Sequence, residues 1–259
     1  MPTAKWTATL ASDLAAPVGD PLDRLLLKLR ARDMVSEKEA AVLCASVCEI
    51  KELPQGKVIV RSGVELSVCT LLIDGFICRY KDLNDGQRQI MELHVPGDFL
   101  DLHSFLLKRL EHNVGSMTPV RLALVPHDKV REITEAHPHL ARMLWFSTLL
   151  DASIHRERIL SVGRRSALAR IAHMLCELYV RLEVVELTDG HSYRLPITQA
   201  DIADAAGLTA VHVNRMLKQL RDQELVTFRN GLVTIHQWER LQQIAEFSAA
   251  YLYLERRPR

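Results

Sequence analysis

The chain has 259 residues, of which 48% are hydrophobic and 25% are charged, and its formal net charge is +1. This composition is ordinary for a globular protein and allows one large domain or two smaller ones. A net charge so close to zero excludes a global attraction to nucleic acid or to a membrane surface, so any binding to a polyanion has to come from local placement of charge.

No apolar run approaches the ~20 residues that a membrane helix needs, and the N-terminus lacks the apolar core of a secretory signal. We therefore expect a cytoplasmic protein with no membrane partner. Five cysteines are too few for a disulfide framework in a chain of this length, which agrees with a reducing compartment. Residues 1–20 are rich in Ala, Thr and Pro and predict a flexible tail.

Residues Pro21 to Ile50 predict short helices. Ser36, followed by Glu39 three residues later, is the pattern of a capping box, in which two side chains satisfy free groups at a helix start. Leu43 and Val47 then recur at helical spacing. We expect a helix to begin directly after Ser36.

From Leu53 the sequence predicts a β-domain. Asp74-Gly75 and Asp85-Gly86 are hairpin signals between apolar runs, because glycine tolerates a positive φ. Many short strands with regular turns favour a sandwich or barrel, which we assign to residues 21–136, with one short helix between Asp101 and Leu110. The strand-like runs are Val58–Val60, Val68–Ile73, Phe76–Tyr80, Gln89–Val95 and Val120–Val125.

Residues 137–163 predict a long helix and a hinge. This helix is apolar on most sides, with Trp145 and Leu149 on a different side from its main seam, so it has to bury two surfaces. We interpret one surface as facing the chain's own β-domain and the other as facing a symmetry mate; burial inside one subunit is the alternative. The main seam repeats with spacings of three and four, as in a coiled coil, at Leu140, Met143, Ser147, Leu150 and Ile154.

Beyond Ile154 this seam becomes polar, so we expect the paired helices to separate there. Gly163 interrupts the helical pattern and is the expected hinge between two domains. Ser166 then restarts the pattern as the N-cap of a helix from Ala167 to about Leu182. The second domain is expected to cover residues 164–259.

A helix-turn-helix is predicted in the second domain. Thr198 is the expected N-cap of a helix from Gln199 to Ala206, which Gly207 ends by adopting the left-handed conformation. Thr209 is the expected N-cap of the next helix, from Ala210 to about Gln223. Two helices joined by a short turn that contains glycine form this motif. A helical hairpin with solvated polar residues is the alternative.

The second helix of the motif carries side chains that suit the reading of double-stranded DNA. A helix fits the major groove, where its N-terminal residues meet the base edges. Arg215 can pair with a guanine through two hydrogen bonds, and the helix starts suit phosphate contacts. The predicted DNA-binding residues are Thr198, Gln199, Thr209, Ala210, Val211, His212, Asn214, Arg215 and Lys218.

Two further elements complete the second domain. Leu225 to Ile235 reads as strand, Asn-Gly turn and strand, which predicts a wing beside the helix-turn-helix. Trp238 to Leu254 has apolar residues at helical spacing and predicts an appended amphipathic helix, packed on the DNA-binding domain or on the dimer mate.

The order of β-roll, long helix and winged helix resembles the Crp/Fnr family of bacterial transcription regulators, over about Pro21 to His236. Ile197 to Val226 resembles the family's helix-turn-helix signature, GDF at Gly97 to Phe99 its β-roll marker, and RIAHML at Arg170 to Leu175 its first C-domain helix. The resemblance implies an α+β fold with an N-terminal double-stranded β-roll similar to cyclic nucleotide-binding domains, a dimerisation helix and a C-terminal winged helix-turn-helix.

The resemblance also implies a sequence-specific regulator that binds a two-fold symmetric DNA site as a homodimer and contacts RNA polymerase. Arg215 matches the family's recognition-helix arginine, which reads a guanine. Val211 stands where many members carry Glu, and Ala210 where the cyclic-AMP receptor protein carries Arg. We therefore expect an altered target sequence, with His212 and Asn214 as carriers of the new specificity.

The signal at the β-roll is unidentified. In the family's cyclic-AMP binders a Glu follows GDF and an Arg-Ser pair holds the phosphate, whereas the matching positions here are Leu102, His112 and Asn113. A cyclic phosphodiester needs an arginine and oriented amides for its charge. We predict no cyclic-AMP binding by this route and no cofactor, and another nucleotide stays open. A constitutive regulator with no effector is the alternative.

The cysteines favour no iron–sulfur cluster. Cys44 and Cys48 are spaced to share a helix face, and Cys69 and Cys78 are expected on neighbouring strands. A cluster needs four convergent thiolates, and the tight N-terminal cysteine group of the family's cluster-binding members is absent. Burial as small hydrophobic residues is the favoured interpretation, with a cluster or thiol sensing as the alternative.

The pattern of histidines likewise argues against a metal site, a haem site and a metalloenzyme. His94, His103 and His112 could ligate haem or a metal, but histidines in a β-domain are more often simply packed or exposed. A metalloenzyme of cupin type is the rival class, and it needs clustered histidines and a carboxylate inside the roll. The chain's one His-x-His, at His137 and His139, lies outside the predicted strands, and no nucleophile motif, P-loop or dinucleotide fingerprint is present.

Overall fold

The computed structural model describes residues 21–259, so the predicted tail at residues 1–20 lies outside the described residues. Within the described part, no helix has the length and apolarity that crossing a membrane requires. The helices are α1 (Asp23–Arg30), α2 (Glu37–Ala45), α3 (Ser104–Leu107), α4 (His127–Ala136), α5 (Pro138–Arg164), α6 (Ala167–Glu183), α7 (Gln199–Ala206), α8 (Ala210–Asp222) and α9 (Trp238–Ala245). The strands are β1 (Glu49–Leu53), β2 (Val58–Val60), β3 (Val68–Asp74), β4 (Ile77–Asp82), β5 (Arg88–His94), β6 (Asn113–Ser116), β7 (Val120–Pro126), β8 (Thr188–Asp189), β9 (Ser192–Arg194), β10 (Val226–Arg229) and β11 (Leu232–Ile235).

The N-terminal domain is a β-roll of two antiparallel sheets, which confirms the predicted fold class. One sheet has the strand order β1-β7-β3 and the other β2-β6-β4-β5. The predicted strands are all present, but the sequence did not predict β1 and β6. All but the last residue of β1 are exposed, and β6 has only four residues, so neither carries a periodic apolar pattern.

The two Asp-Gly turns of this domain differ in what they connect. Asp85-Gly86 joins β4 to β5 as a hairpin, as predicted, with Asp82 paired to Arg88. The hairpin prediction for Asp74-Gly75 is wrong, because β3 and β4 belong to different sheets and the turn carries the chain between them. Gly75 has φ +90°, and a Cβ there would lie 2.4 Å from the carbonyl oxygen of Pro119.

Helix α5 buries a different face from the one proposed for a dimer. In the coiled-coil seam, Leu140, Met143 and Ile154 are at most 4% exposed and Leu150 is 8% exposed, because these residues pack inside the chain. Because this seam is covered within the chain, its burial does not test whether paired helices separate beyond Ile154, and that separation stays a prediction. Arg158, which makes the seam polar, is itself buried and donates a hydrogen bond to Glu177 of α6 (3.3 Å).

The helix break between the domains lies two residues later than predicted. Gly163 is helical, and α5 continues to Arg164. The chain turns at Arg165, whose backbone is extended, with φ −70° and ψ 146°. Ser166 then caps α6 as predicted, its side chain accepting a hydrogen bond from the Ala169 amide.

Helix α6 is the centre of the C-terminal domain, and most of its residues are buried. A four-stranded sheet in the order β10-β11-β9-β8 contains the predicted wing and the two unpredicted strands β8 and β9. The single appended helix predicted for the C-terminus is wrong in extent. Helix α9 ends where Glu246 takes a left-handed conformation (φ 49°), and a short 3₁₀ helix follows at Ala249–Leu252.

Polar contacts join the domains at several places, two of which involve arginines of α6 and β5. On α6, Arg181 donates a hydrogen bond to Asp98 of the β-roll (2.7 Å). On β5, the Arg88 guanidinium donates to Asp201 (2.7 Å) and to Asp204 (2.9 Å), both on α7. A guanidinium that bridges two carboxylates is a strong and directional contact. Helix α7 therefore lies against the edge strand of the β-roll.

The sterics at the two turns generate a stability prediction. Gly75→Ala and Gly86→Ala both place a side chain at positive φ, which costs about 1–2 kcal/mol. Only Gly75 also meets a neighbour, since no atom lies within 4 Å of a Cβ at Gly86. Gly75→Ala is expected to lower the free energy of unfolding by a further ~1–3 kcal/mol, as overpacking does. Urea unfolding followed by circular dichroism measures both losses, and equal losses would contradict the described approach to Pro119.

The domain contact generates a second prediction. In Arg88→Gln, hydrogen–deuterium exchange is expected to accelerate in α7 and β5, because the bridge to Asp201 and Asp204 is lost. The matched control is Arg131→Gln, which removes an exposed ion pair with Asp128 within α4. Its effect is expected to stay local. Unchanged exchange in α7 of the Arg88 variant would show that this bridge does not hold the domains together.

Candidate DNA-binding interface

Local side-chain chemistry builds the helix-turn-helix as predicted. Thr198 accepts a hydrogen bond from the Asp201 amide, and the Asp201 carboxylate accepts from the Thr198 amide, which completes a capping box. Gly207 ends α7 in the left-handed conformation, with φ 62°. Thr209 caps α8 by accepting from the His212 amide (3.3 Å). These caps fix the angle at which α8 leaves the turn.

Helix α8 has one buried face and one open face. Val213 and Leu220 are fully buried, and Met216 is 8% exposed, so these three attach the helix to its domain. All nine predicted DNA-binding residues are exposed on the surfaces of α7, α8 and the turn between them. The arrangement leaves the N-terminal half of α8 free to enter a groove, and contact of each residue with DNA stays a prediction.

Two polar contacts organise this surface. The Asn214 side-chain amide donates to the Gln199 side-chain oxygen (3.3 Å), which ties α8 to the start of α7. The His212 ring nitrogen Nδ1 lies 3.1 Å from the Thr209 hydroxyl. Within residues 21–259, Arg215 and Lys218 make no ion pair, so both cations remain available to a polyanion.

The wing supplies two exposed arginines that the sequence did not single out. Arg229 of β10 and Arg194 of β9 both pair in register with Leu232, which lies between them on β11. They therefore lie on either side of Leu232, two strands apart, where they suit contact with the phosphate backbone. Arg194 belongs to a strand that was not predicted, so no local pattern pointed to this pair.

The three positions matched to the cyclic-AMP contacts hold no cation. Leu102 is buried and apolar, and His112 is buried beside Glu111, its ring nitrogen Nδ1 lying 3.1 Å from that carboxylate. Burial lowers the pKa of His112, which favours the neutral ring. The Asn113 side chain is engaged, donating to Asp82 and accepting from the Ser62 amide. These three side chains offer no charge to a phosphodiester.

The predicted cysteine placements are wrong in both cases. Helix α2 ends at Ala45, so Cys48 lies outside the helix and shares no face with Cys44. Cys69 on β3 and Cys78 on β4 belong to different sheets. Burial raises the pKa of each of these two thiols to about 12, so neither is a thiolate at neutral pH. Across the described part of the chain, no cysteine belongs to a group of three or more potential metal ligands.

Comparison with protein families matches both halves of the chain. A model of the Crp-like helix-turn-helix domain matches residues 169–244. A model of the cyclic nucleotide-binding domain matches residues 50–137. The two matches cover the winged helix-turn-helix and most of the β-roll.

Curated relatives match over most of their own length. The nitrogen fixation regulation protein FixK of Rhizobium meliloti is 28% identical over 181 residues, which cover 68% of this chain and 77% of the relative. The transcriptional activator protein FnrL of Cereibacter sphaeroides is 25% identical over 70% of each chain. The transcriptional activatory protein AadR of Rhodopseudomonas palustris is 34% identical, over 60% of this chain and 64% of the relative.

Solved structures share the architecture. FixK2 from Bradyrhizobium japonicum superposes with a TM-score of 0.71 at 25% identity, covering 78% of this chain and all of that one. The relatives are transcription regulators, which removes the cupin-type enzyme as a rival and agrees with the expectation that the chain is not an enzyme. With a β-roll, a long helix and a winged helix-turn-helix in this order, the chain belongs to the Crp/Fnr family of DNA-binding transcription regulators.

Proposed function

We propose that the protein binds a two-fold symmetric DNA site as a homodimer and reads it with the exposed start of α8. The observation that carries this proposal is the open face of α8, where Arg215 and Lys218 lie beside the polar residues of the turn. In a dimer, two such helices about 34 Å apart would enter successive major grooves on one side of the duplex.

An exposed apolar stripe on α5 supports the dimer. Trp145 is 67% exposed, Leu149 52% and Ile159 73%, although the opposite face of the helix is buried in the chain. Spacings of four and three place five residues on one face, which is apolar except for an exposed arginine: Trp145, Leu149, Ala152, Arg156 and Ile159. A second copy of this stripe would cover these side chains and remove their apolar surface from water.

Each part of the chain is assigned one role in this proposal. We propose a β-roll sensor domain at residues 21–136, a dimerisation helix at 137–164 with the hinge at Arg165, and a DNA-binding domain at 166–259 that includes the C-terminal segment. Contact with RNA polymerase is proposed on the family membership. An unidentified signal at the β-roll would act through its different affinity for two arrangements of the domains. Leu102, His112 and Asn113, at the positions matched to the cyclic-AMP contacts, offer no charge, which supports an effector other than cyclic AMP. A constitutive regulator with no effector is the second candidate function.

Selection of binding sites from random duplexes tests the DNA proposal. The wild type is expected to enrich an inverted repeat, either alone or after addition of a cell extract. Arg215→Ala is expected to lose about 1–3 kcal/mol of binding free energy for each guanine contact and to relax the preference at that position. Arg221→Ala is the matched control, since Arg221 is exposed at the end of α8 away from the turn. Binding constants are measured on the selected duplex by fluorescence anisotropy.

The same selection separates the two candidate functions. Enrichment without any added molecule supports the constitutive regulator, whereas enrichment only after addition of a cell extract supports a signal-dependent one. Equal losses for the Arg215 and Arg221 variants would contradict the proposed orientation of α8.

The apolar stripe predicts the oligomeric state. Wild-type protein is expected to elute as a dimer and Leu149→Asp as a monomer, because a carboxylate in the stripe would be buried without a partner. Met34→Asp is the control, since Met34 is also apolar and 72% exposed but lies outside α5. Size-exclusion chromatography with light scattering gives the masses. A dimeric Leu149→Asp protein would contradict dimerisation through this face.

A further inference from the structure

A cluster of potential metal ligands lies between the β-roll and the long helix. Among the described residues, Glu92 and His94 of β5 and Asp151 of α5 are the group of three whose ligand atoms all lie within 4.8 Å of one another. His155, one turn further along α5, places its ring nitrogen Nε2 3.3 Å from the Glu92 oxygen Oε2. The four side chains come from two elements that meet only in the folded protein.

The distances within the cluster approach those of a metal site. Four ligands at the Zn–N and Zn–O bond lengths of about 2.0–2.1 Å in tetrahedral geometry lie about 3.4 Å from one another. The observed separations from the Glu92 oxygen Oε2 are 3.3 Å to His155 and 3.7 Å to His94. Asp151 and His155 are partly exposed, at 21% and 33%, which gives an ion a path of entry and leaves these two side chains room to adjust.

Unpartnered polar atoms point into the same cluster. His94 is fully buried, and neither of its ring nitrogens has a hydrogen-bond partner. The Glu92 oxygen Oε1 is also buried without a partner. The His94 nitrogen Nε2 lies 3.7 Å from the Glu92 oxygen Oε2 and so faces the cluster, whereas Nδ1 lies 3.5 Å from Asp98. A buried polar atom without a hydrogen-bond partner costs about 1–3 kcal/mol, so Nε2 of His94 and Oε1 of Glu92 favour an occupant. An imidazole nitrogen and a carboxylate oxygen together suit a transition-metal ion.

The cations already present leave ligand atoms free. Arg79 donates to the Glu92 oxygen Oε2 (2.9 Å) and to Asp151, while its other nitrogens donate to the carbonyl oxygen of Leu100. Arg79 therefore bonds to one oxygen of Glu92, while Oε1 lies 3.7 Å from the Arg181 nitrogen Nη2 and accepts no hydrogen bond.

The geometry points to a binding site for one divalent transition-metal ion of the zinc class, held by Glu92, His94 and Asp151 with His155 as the fourth ligand. Such an ion would join β5 of the β-roll to α5 and supply the partner that His94 lacks. This proposal does not rest on the proposed DNA contacts.

Binding of Co²⁺ and Zn²⁺ to the full-length, untagged protein tests the site. Every protein in the test carries Cys48→Ser, because Cys48 is an exposed thiol that could bind the probe ion. After removal of metal with a chelator, Co²⁺ is titrated while its visible d–d absorption is followed, and bound Zn²⁺ is counted by atomic emission after gel filtration. One ion per chain is expected, together with a rise in the thermal unfolding temperature on Zn²⁺ addition, because an ion that binds the folded state stabilises it.

Ligand variants identify the residues. Asp151→Asn and His94→Gln are each expected to weaken Co²⁺ binding at least about tenfold and to abolish the thermal shift. His127→Gln is the matched control, a buried histidine of the same domain that pairs with Ser104 outside the cluster. If His94→Gln fails to fold, Asp151→Asn decides, because Asp151 lies at the open edge. Failure of the wild type to retain an ion, or equal binding by wild type and Asp151→Asn, would overturn the proposal.

Discussion

The arrangement of the two domains depends on buried ion pairs around Arg181. This α6 residue donates to Asp98 of the β-roll and to Glu177 of its own helix, and Arg158 of α5 donates to the same Glu177. Removing one partner of a buried ion pair leaves an uncompensated charge that costs about 3–5 kcal/mol. Helix α6, at the centre of the DNA-binding domain, is therefore attached to both the β-roll and the long helix. Breaking either attachment would leave a buried charge without its partner.

Helix α5 connects the β-roll, the DNA-binding domain and the proposed dimer contact. One face of α5 is buried against its own chain, and a second carries the exposed stripe proposed to meet another copy. Its side chains Asp151 and Arg158 form ion pairs with Arg79 of β4 and Glu177 of α6. A movement of α5 relative to the β-roll would thus also move the exposed stripe and the contact with α6. Coupling through packed elements with discrete arrangements is how such changes reach a distant binding surface.

Features set by local chemistry were predictable from the sequence, and features set by distant residues were not. The caps at Ser166, Thr198 and Thr209 and the left-handed Gly207 follow from side chains within three residues, and all four are present. The apolar repeat of α5 identified residues that share a face but not what covers that face. The Asp74-Gly75 turn looked like a hairpin because the pairing of strands in separate sheets leaves no local pattern.

The candidate interface divides in the same way. The exposed start of α8 was predictable from capping and periodicity, whereas the wing arginines and the bridge from Arg88 to α7 arise only from tertiary packing. Footprinting of the wild-type protein on its selected duplex, by hydroxyl radicals and by guanine methylation, tests the central claim most directly. Two protected major-groove segments one helical turn apart, about 34 Å, on one side of the duplex are predicted. A single protected segment, or protection confined to the minor groove, would contradict a symmetric dimer that reads DNA with α8.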